Sequence, residues 1–326
     1  MSDRDFQQPG MGAMTVLRSA LFVPAIRPEM IEKARGLGEA DALVLDLEDS
    51  VPEGGKEQAR AAAREALPAL VAPGRQLWVR VNNTYSLRTR DDVHAIVCEQ
   101  LDGIMLPKAD KPEQVLYLEA LLRDAEAAAG LEAGKIRLLL AIESAKGLVR
   151  CYETARASRR TLAIQLGAED YVTDMGIERT LEGAELAYPR SVIAVAARAV
   201  GVLALDTVYP ALHDEAGLLR EAQAARALGY AGKFAIHPEQ IAPINRVFTP
   251  AAEQVEQARR TVAAYEAAEQ QGHGAVQVEG RMVDAPVAAR ARALIALAEA
   301  IAAKDRGAEN ELPPAEPPAP TPRPAP

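Results

Sequence analysis

Eight short, uninterrupted apolar runs recur along the chain: SALFVPA, DALVLDLED, QLWVRVN, DGIMLPK, RLLLAIE, LAIQLGAED, VLALDTV and KFAIHP. Strands buried on both faces read as continuous apolar runs rather than as an apolar–polar alternation. Between them lie stretches rich in Ala, Glu, Leu and Arg, such as PEMIEKARGLG, EQARAAAREAL and EQVLYLEALLRDAEAAAG, with the pattern of amphipathic helices. Eight βα repeats predict an α/β fold, a (β/α)8 barrel. An open, doubly wound sheet is the main alternative, and no GxGxxG follows the first run to support it.

The same pattern divides the chain. Residues 1–13 are expected to be a disordered N-terminus, 14–248 the barrel, 249–304 a C-terminal extension and 305–326 a Pro-rich disordered tail. The extension reads as a long helix, a Gly-punctuated hairpin (GHGAVQVEGRMVDAP) and a last helix, VAARARALIALAEAIAAK. It is expected to pack on the barrel or to reach a neighbouring subunit. Eight prolines in the final fourteen residues exclude helix or sheet interior there.

Acidic residues outnumber basic ones by 46 to 37, a formal charge of −9, which argues against general nucleic-acid binding. No stretch approaches the roughly 20 apolar residues that cross a bilayer. The polar start, MSDRDFQQPG, has no hydrophobic signal core, and Cys98 and Cys151 lack CxxC spacing. A reduced, cytoplasmic protein is the expectation.

Barrel active sites form at the carboxyl ends of the strands. The polar residues there are Asp46, Glu48 and Asp49; Arg80, Asn82 and Asn83; Lys108; Glu143; Gly167-Ala168-Glu169-Asp170; Asp206; and His237. Many carboxylates and few cations in one mouth repel one another unless a positive ion is present. An oxygen-only donor set favours Mg2+ over zinc. Glu143 and Asp170, delivered by adjacent strands, are the best ligand candidates; Glu143 can also be a cap for the following helix. Arg80 should point opposite to Val79 and Val81, into the barrel near its mouth. It either holds a substrate carboxylate bidentately or pairs with Asp46 or Glu48. Arg18 and Lys108 share that ambiguity. The backbone N–H groups of Ala168, Glu169 and Asp170, if a helix starts there, can bind a carboxylate. His237 reads as a rim or ligand-contacting residue rather than a general base, and His94 as an ordinary helix residue. Ser144 and Ser191 lack a His/Asp arrangement for nucleophilic catalysis. The loops after the seventh and eighth runs lack a Gly-rich phosphate cradle.

Several segments in order resemble the citrate lyase β-subunit family, within the wider group of HpcH/HpaI-type aldolases and malyl-CoA lyases. They are RSALFVPAIRPEMIEKA, DALVLDLEDSVPEGGKEQAR, WVRVN, IMLPK, AIESAKGL, LGAEDYVTDMG, GYAGKFAIHPEQIAPINRVFTP and GRMVDAPVAARARAL. The resemblance implies a barrel, often trimeric, that binds Mg2+ through Glu143 and Asp170. It implies that Arg80 holds the carboxylate of a 2-oxo acid such as oxaloacetate, with the GAED amides assisting. It places KFAIHPEQI, and so His237, on the acyl-CoA or acyl-carrier side. Asp284 matches an Asp that enters a neighbouring subunit's site; otherwise it caps the last helix.

The expected activity is a Mg2+-dependent carbon–carbon lyase that cleaves a citryl-type acyl thioester to oxaloacetate and an acetyl thioester. Asp284 is then the proton donor, Arg80 the anchor, and Lys108 a balancing charge. The alternatives are a citramalyl-CoA or malyl-CoA lyase able to run as a malate synthase, and a non-catalytic oxo-acid-binding subunit.

Overall fold

Each apolar run becomes one strand of a closed, all-parallel barrel in the order β1 to β8. In this computed structural model the described residues are 14–310. The N-terminal stretch 1–13 and the prolines from Pro313 onward lie outside them. The strands are β1 (Ser19–Pro24), β2 (Ala42–Asp46), β3 (Gln76–Arg80), β4 (Gly103–Leu106), β5 (Arg137–Ile142), β6 (Thr161–Leu166), β7 (Leu203–Asp206) and β8 (Gly232–Ala235). The helices up to the end of the barrel are α1 (Pro28–Arg35), α2 (Lys56–Ala66), α3 (Thr89–Ile96), α4 (Pro112–Ala128), α5 (Ala145–Ala155), α6 (Ala168–Met175), α7 (Ala187–Val200), α8 (Glu215–Ala227) and α9 (Ile241–Phe248). The extension adds α10 (Ala252–Gln270), an antiparallel hairpin of β9 (Ala275–Val278) and β10 (Arg281–Asp284), and α11 (Ala285–Asn310). No helix among the described residues is long and apolar enough to cross a membrane.

Strand side chains alternate between two cores, because successive residues point to opposite faces. Ala42 and Val44, Trp78, Met105, Leu139 and Ala141 fill the lumen, whereas Leu43, Leu45, Leu77, Val79 and Ile104 pack outward under the helices. This parity decides the site. Asp46 lies two residues beyond Val44, Arg80 two beyond Trp78 and Glu143 two beyond Ala141, so all three face inward above an apolar floor. Trp78 needs room in that floor: a Cβ on Gly103 would lie 2.1 Å from Trp78 Cζ3.

Asp206 does not join the mouth. It is fully buried on the outward face with Lys233, its register partner. Lys233 Nζ donates to Asp206 Oδ2 at 2.7 Å, to Glu221 Oε1 at 2.6 Å and to the Thr207 carbonyl at 2.6 Å. Arg190 binds both carboxylates, at 2.8 Å to Asp206 Oδ1 and 3.0 Å to Glu221 Oε2. The charges expected at the seventh strand's end are therefore spent tying β7 and β8 to α7 and α8.

The last helix also differs from expectation. It runs beyond Lys304, the expected end of the extension, to Asn310. Lys304 pairs with Asp41, and Asp305 binds Arg18 at 2.8 Å, so this turn is anchored rather than frayed.

Removing one partner from a buried ion cluster leaves an uncompensated charge. Lys233→Met is expected to lower the unfolding free energy by about 3–5 kcal/mol in urea titrations. Burial opposes Asp206's charge, yet Lys233 and Arg190 hold its pKa below the usual carboxylate range. Its stabilising contribution is thus present at neutral pH and is lost as pH falls through and below about 4. A native protein whose stability stays flat into that range, or a Lys233→Met variant of full stability, contradicts this account.

Candidate active site

The strand ends open onto a cleft of about 630 Å³. Its polar walls include Asp46, Arg80, Glu143, Gln165 and Asp170, and Phe22, Met105 and Val208 give it an apolar side. It continues past Met30 and Lys33 of α1, and Leu37 just after that helix, towards Ile236, His237 and Pro238.

Arg80 points inward as its parity requires, and parallel register sets Asp46 beside it. Its Nε and Nη2 donate to Asp46 Oδ1 and Oδ2 at 2.7 and 2.8 Å, while its guanidinium lies 4.8 Å from the Phe22 ring centre. Of the two alternatives raised for Arg80, the fold shows the pairing with Asp46 and Glu48. The two-pronged edge is taken by a structural partner, and Nη1 is left towards Glu48 and Asp49, each at 3.3 Å. Asp46 also accepts from the N–H groups of Glu48 and Ser50, at 3.0 Å each. Burial opposes ionisation of Asp46, but Arg80 and these donors hold its pKa below the ordinary range.

Glu143 faces Gly167 across the β5–β6 pair. A Cβ on Gly167 would stand 2.3 Å from Glu143 Cγ, so the glycine of LGAED makes room for the carboxylate. Glu143 Oε2 accepts from the Lys108 N–H at 2.8 Å. Lys108 adopts φ +51°, a left-handed conformation uncommon for a residue with a side chain. That turn points the amide at Glu143 while the ammonium lies 3.4 Å from Asp170 Oδ1 and 3.6 Å from Glu48 Oε1. Asp170 itself sits in the first turn of α6.

Glu48, expected only as an alternative partner of Arg80, does more than that. It is buried, and among the described residues its carboxylate oxygens have ion pairs to Arg80 and Lys108 but no hydrogen-bond partner. Loop anchoring puts it there: Lys56 Nζ donates to the carbonyls of Leu47 and Glu48 at 2.9 and 2.6 Å. Burial, reinforced by the neighbouring carboxylates, pushes the Glu143 carboxyl up to about 8 and that of Glu48 to about 7. Lys108 is opposed by its own burial, yet Glu48 and Asp170 raise its pKa. The site thus has more negative charge than its two cations neutralise. An excess of carboxylate oxygen around Glu143 and Asp170, with Glu48 held by ion pairs but no hydrogen bond, is what a hard divalent cation would satisfy. Among the described residues no three His, Cys, Asp or Glu side chains make a ready-built metal cage. Mg2+ does not need one, since it takes one or two carboxylates and fills its remaining positions with water or substrate oxygens.

The other expected residues fall into three places. α6 does begin at Ala168, but the Ala168 N–H already donates to Thr207 Oγ1 at 3.3 Å. Only the N–H groups of Glu169 and Asp170 remain without partners among the described residues. His237 lines the cleft, and its Nδ1 accepts from the Glu239 N–H at 3.3 Å. Asp284 is absent from the cleft lining and caps α11, accepting from the Val287 N–H at 3.2 Å. Arg18 lies at the opposite, amino-terminal end of the barrel, one residue before β1.

A family model described as HpcH/HpaI aldolase/citrate lyase matches residues 18–238, a span that holds all eight strands. The chain belongs to that family. Citrate lyase subunit beta of Leuconostoc mesenteroides subsp. cremoris is 41% identical over 283 residues, 87% of this chain and 93% of the relative. The L-malyl-CoA/beta-methylmalyl-CoA lyase of Cereibacter sphaeroides is 35% identical, with 88% of this chain and 96% of that protein aligned. A crystal structure of CitE from Mycobacterium tuberculosis, in complex with magnesium, acetoacetate and coenzyme A, superposes with a TM-score of 0.69 at 32% identity. That match covers 87% of this chain and 98% of the other.

Gly167→Ala tests the cradle. The added methyl forces Glu143 aside, and Mg2+ affinity measured by calorimetry is expected to fall by at least about tenfold. Unchanged affinity in a folded variant would remove Glu143 from the cation site.

Proposed function

We propose that this protein is a Mg2+-dependent carbon–carbon lyase that cleaves a citryl-type acyl thioester into oxaloacetate and an acetyl thioester. The carrying observation is that Asp46, Glu143 and Asp170 converge with Arg80 on one partly apolar cleft, with the buried Glu48 beside them held by ion pairs alone. The likeness to citrate lyase β subunits over most of both chains supports the choice of substrate. The carrier of the thioester is coenzyme A or a protein-bound acyl carrier, the protein acts as a homo-oligomer, a trimer in our reading, and its compartment is the cytoplasm.

Glu143 and Asp170 would hold the metal ion. When bound, Mg2+ supplies Lewis acidity to the substrate hydroxyl and the carboxylate next to it. Arg80 offers its Nη1 edge to a substrate carboxylate. Asp46 keeps the rest of the guanidinium fixed, so this is one charge-assisted hydrogen bond, not a bidentate grip. Asp49, half-exposed, yields that edge to the incoming anion. The Glu169 and Asp170 amides, at the positive end of α6, donate to the same carboxylate group. Lys108 balances the local charge. As the carbon–carbon bond breaks, the hydroxyl proton passes to solvent water, the carbonyl of oxaloacetate forms, and the electron pair of the broken bond passes to the acyl thioester as an enolate. Asp284 of a second copy protonates the terminal carbon of that enolate. His237, with the α1 side of the cleft, lies on the thioester side.

A second reading, a malyl-CoA lyase, is favoured by the 35%-identical Cereibacter sphaeroides enzyme. Purified protein with Mg2+ and a panel of citryl-, citramalyl- and malyl-CoA separates the two. Oxaloacetate released from citryl-CoA supports the first reading, and glyoxylate from malyl-CoA alone supports the second. Mg2+-dependent oxaloacetate binding without turnover points to a carrier-dependent or non-catalytic subunit. Glu143→Gln is expected to lower kcat/KM by more than about 100-fold, since losing even an outer partner of a metal ligand costs 10–100-fold. Arg80→Lys, which lacks the fork that grips Asp46, should raise KM by roughly tenfold or more. Wild-type kinetics in either variant would count against its assigned role.

A further inference from the structure

α10 and α11 form an antiparallel arm. Arg259 pairs with Glu299 at 3.5 Å and Arg292 with Glu266 at 3.0 Å, which aligns the two helices along their length. The buried residues of α10 are Ala258, Thr261, Tyr265 and Ala268, a single stripe at helical spacing. At the far end the β9–β10 hairpin has its own small core of Tyr265, Val283 and Ala288, separate from the barrel's. Asp284 sits at this tip. With 19 residues in α10, the tip lies about 28 Å from the root.

Both roots of the arm meet at one side chain. Arg18 Nη1 donates to Thr249 Oγ1, just before α10, and to Asp305 Oδ2 near the end of α11, at 3.2 Å each. Its Nη2 donates to Asp305 Oδ1 at 2.8 Å and to Asp41 Oδ1 at 3.0 Å, and its Nε to Asp41 Oδ2 at 3.0 Å. These bonds engage all five N–H donors of the guanidinium. Asp41 is fully buried before β2, accepts the Arg18 backbone N–H at 2.7 Å and also takes Lys304. The planar fork thus fixes both helices of the arm to the barrel floor in one plane, which a lysine cannot do.

We propose that Arg18, with Asp305 and Thr249, is the positioning set that aims the arm and therefore Asp284. These residues act from the end of the barrel opposite the cleft, through a lever. A root rotation of roughly 10° moves a tip 28 Å away by about 5 Å, far beyond what proton transfer tolerates. The inference rests on the reading that Asp284 works in another copy's cleft.

The test is a double-mutant cycle on the full-length enzyme with its citryl thioester. Asp305→Asn is expected to lower kcat about 10- to 100-fold while leaving Mg2+ and oxaloacetate affinities, measured by calorimetry, unchanged. In an Asp284→Asn background the same substitution should have no further effect on kcat, because the group being aimed is already gone. Equal losses in both backgrounds would make the cluster a stability feature only and overturn the inference. Thr249→Val, which removes one bond and no charge, gives the same cycle if Asp305→Asn lowers the melting temperature too far. If Asp284→Asn itself retains wild-type kcat, the proton-donor reading fails and takes the inference with it. If Asp284→Asn loses turnover while Asp305→Asn and Thr249→Val do not, the inference alone fails.

Discussion

Like charges crowded above an apolar floor are the constraint around which this barrel's mouth is built. Asp46, Glu48, Glu143 and Asp170 face Arg80 and Lys108 over a lumen filled by Trp78, Met105, Leu139 and similar side chains. Water cannot solvate these groups from below, so each must find a partner or resist ionisation. Asp46 does the first through Arg80, and Glu143 and Glu48 do the second. The left-handed turn at Lys108 and the bare glycine at Gly167 are local concessions to that crowding. Strained or side-chain-free positions of this kind concentrate at functional sites.

Charge is used differently elsewhere in the same fold. Lys233 and Arg190, with Asp206 and Glu221, form a saturated cluster between the sheet and the helices. Arg179 extends it to the mouth, reaching Glu221 at 3.5 Å and Glu169 at 3.3 Å. The residue beside Asp170 is thereby tied to a buried scaffold. At the opposite end, Arg18 performs a similar service for the C-terminal arm. Saturated clusters hold the architecture, whereas the unsaturated one at the mouth is where a ligand can bind.

Asp284 shows how a fold can separate a residue from the site its sequence context suggests. It lies in the same chain as Glu143 and Arg80 but on the tip of an arm with its own core. Within one chain it is a helix cap, and any part it plays in chemistry depends on assembly. The arm's design, two helices rooted at a single guanidinium, suits delivery of a side chain over a distance.

The sequence alone pointed to the barrel, because buried parallel strands must be continuously apolar and eight such runs alternate with amphipathic helices, with no GxGxxG to favour the open sheet; closure itself is seen in the fold. It also determined that Arg80 points inward, since strand parity follows from the neighbouring valines, and it singled out Glu143, Asp170 and His237 at the rim. It did not reveal that Asp206 turns outward to Lys233, because that partner comes from β8 and VLALDTV does not show which of its apolar faces turns inward. It offered Glu48 only as an alternative partner of Arg80, and not its burial without hydrogen bonds, because this residue lies in a loop beyond β2 where no periodicity applies and where Lys56 sets the backbone. Only the tertiary structure decided that Asp46 takes Arg80's fork, that Thr207 takes an amide of the GAED turn, and that the last helix is pinned at Arg18. Each of these is a contact between segments distant in the chain, and local pattern carries no information about which partner a side chain finds once the barrel closes.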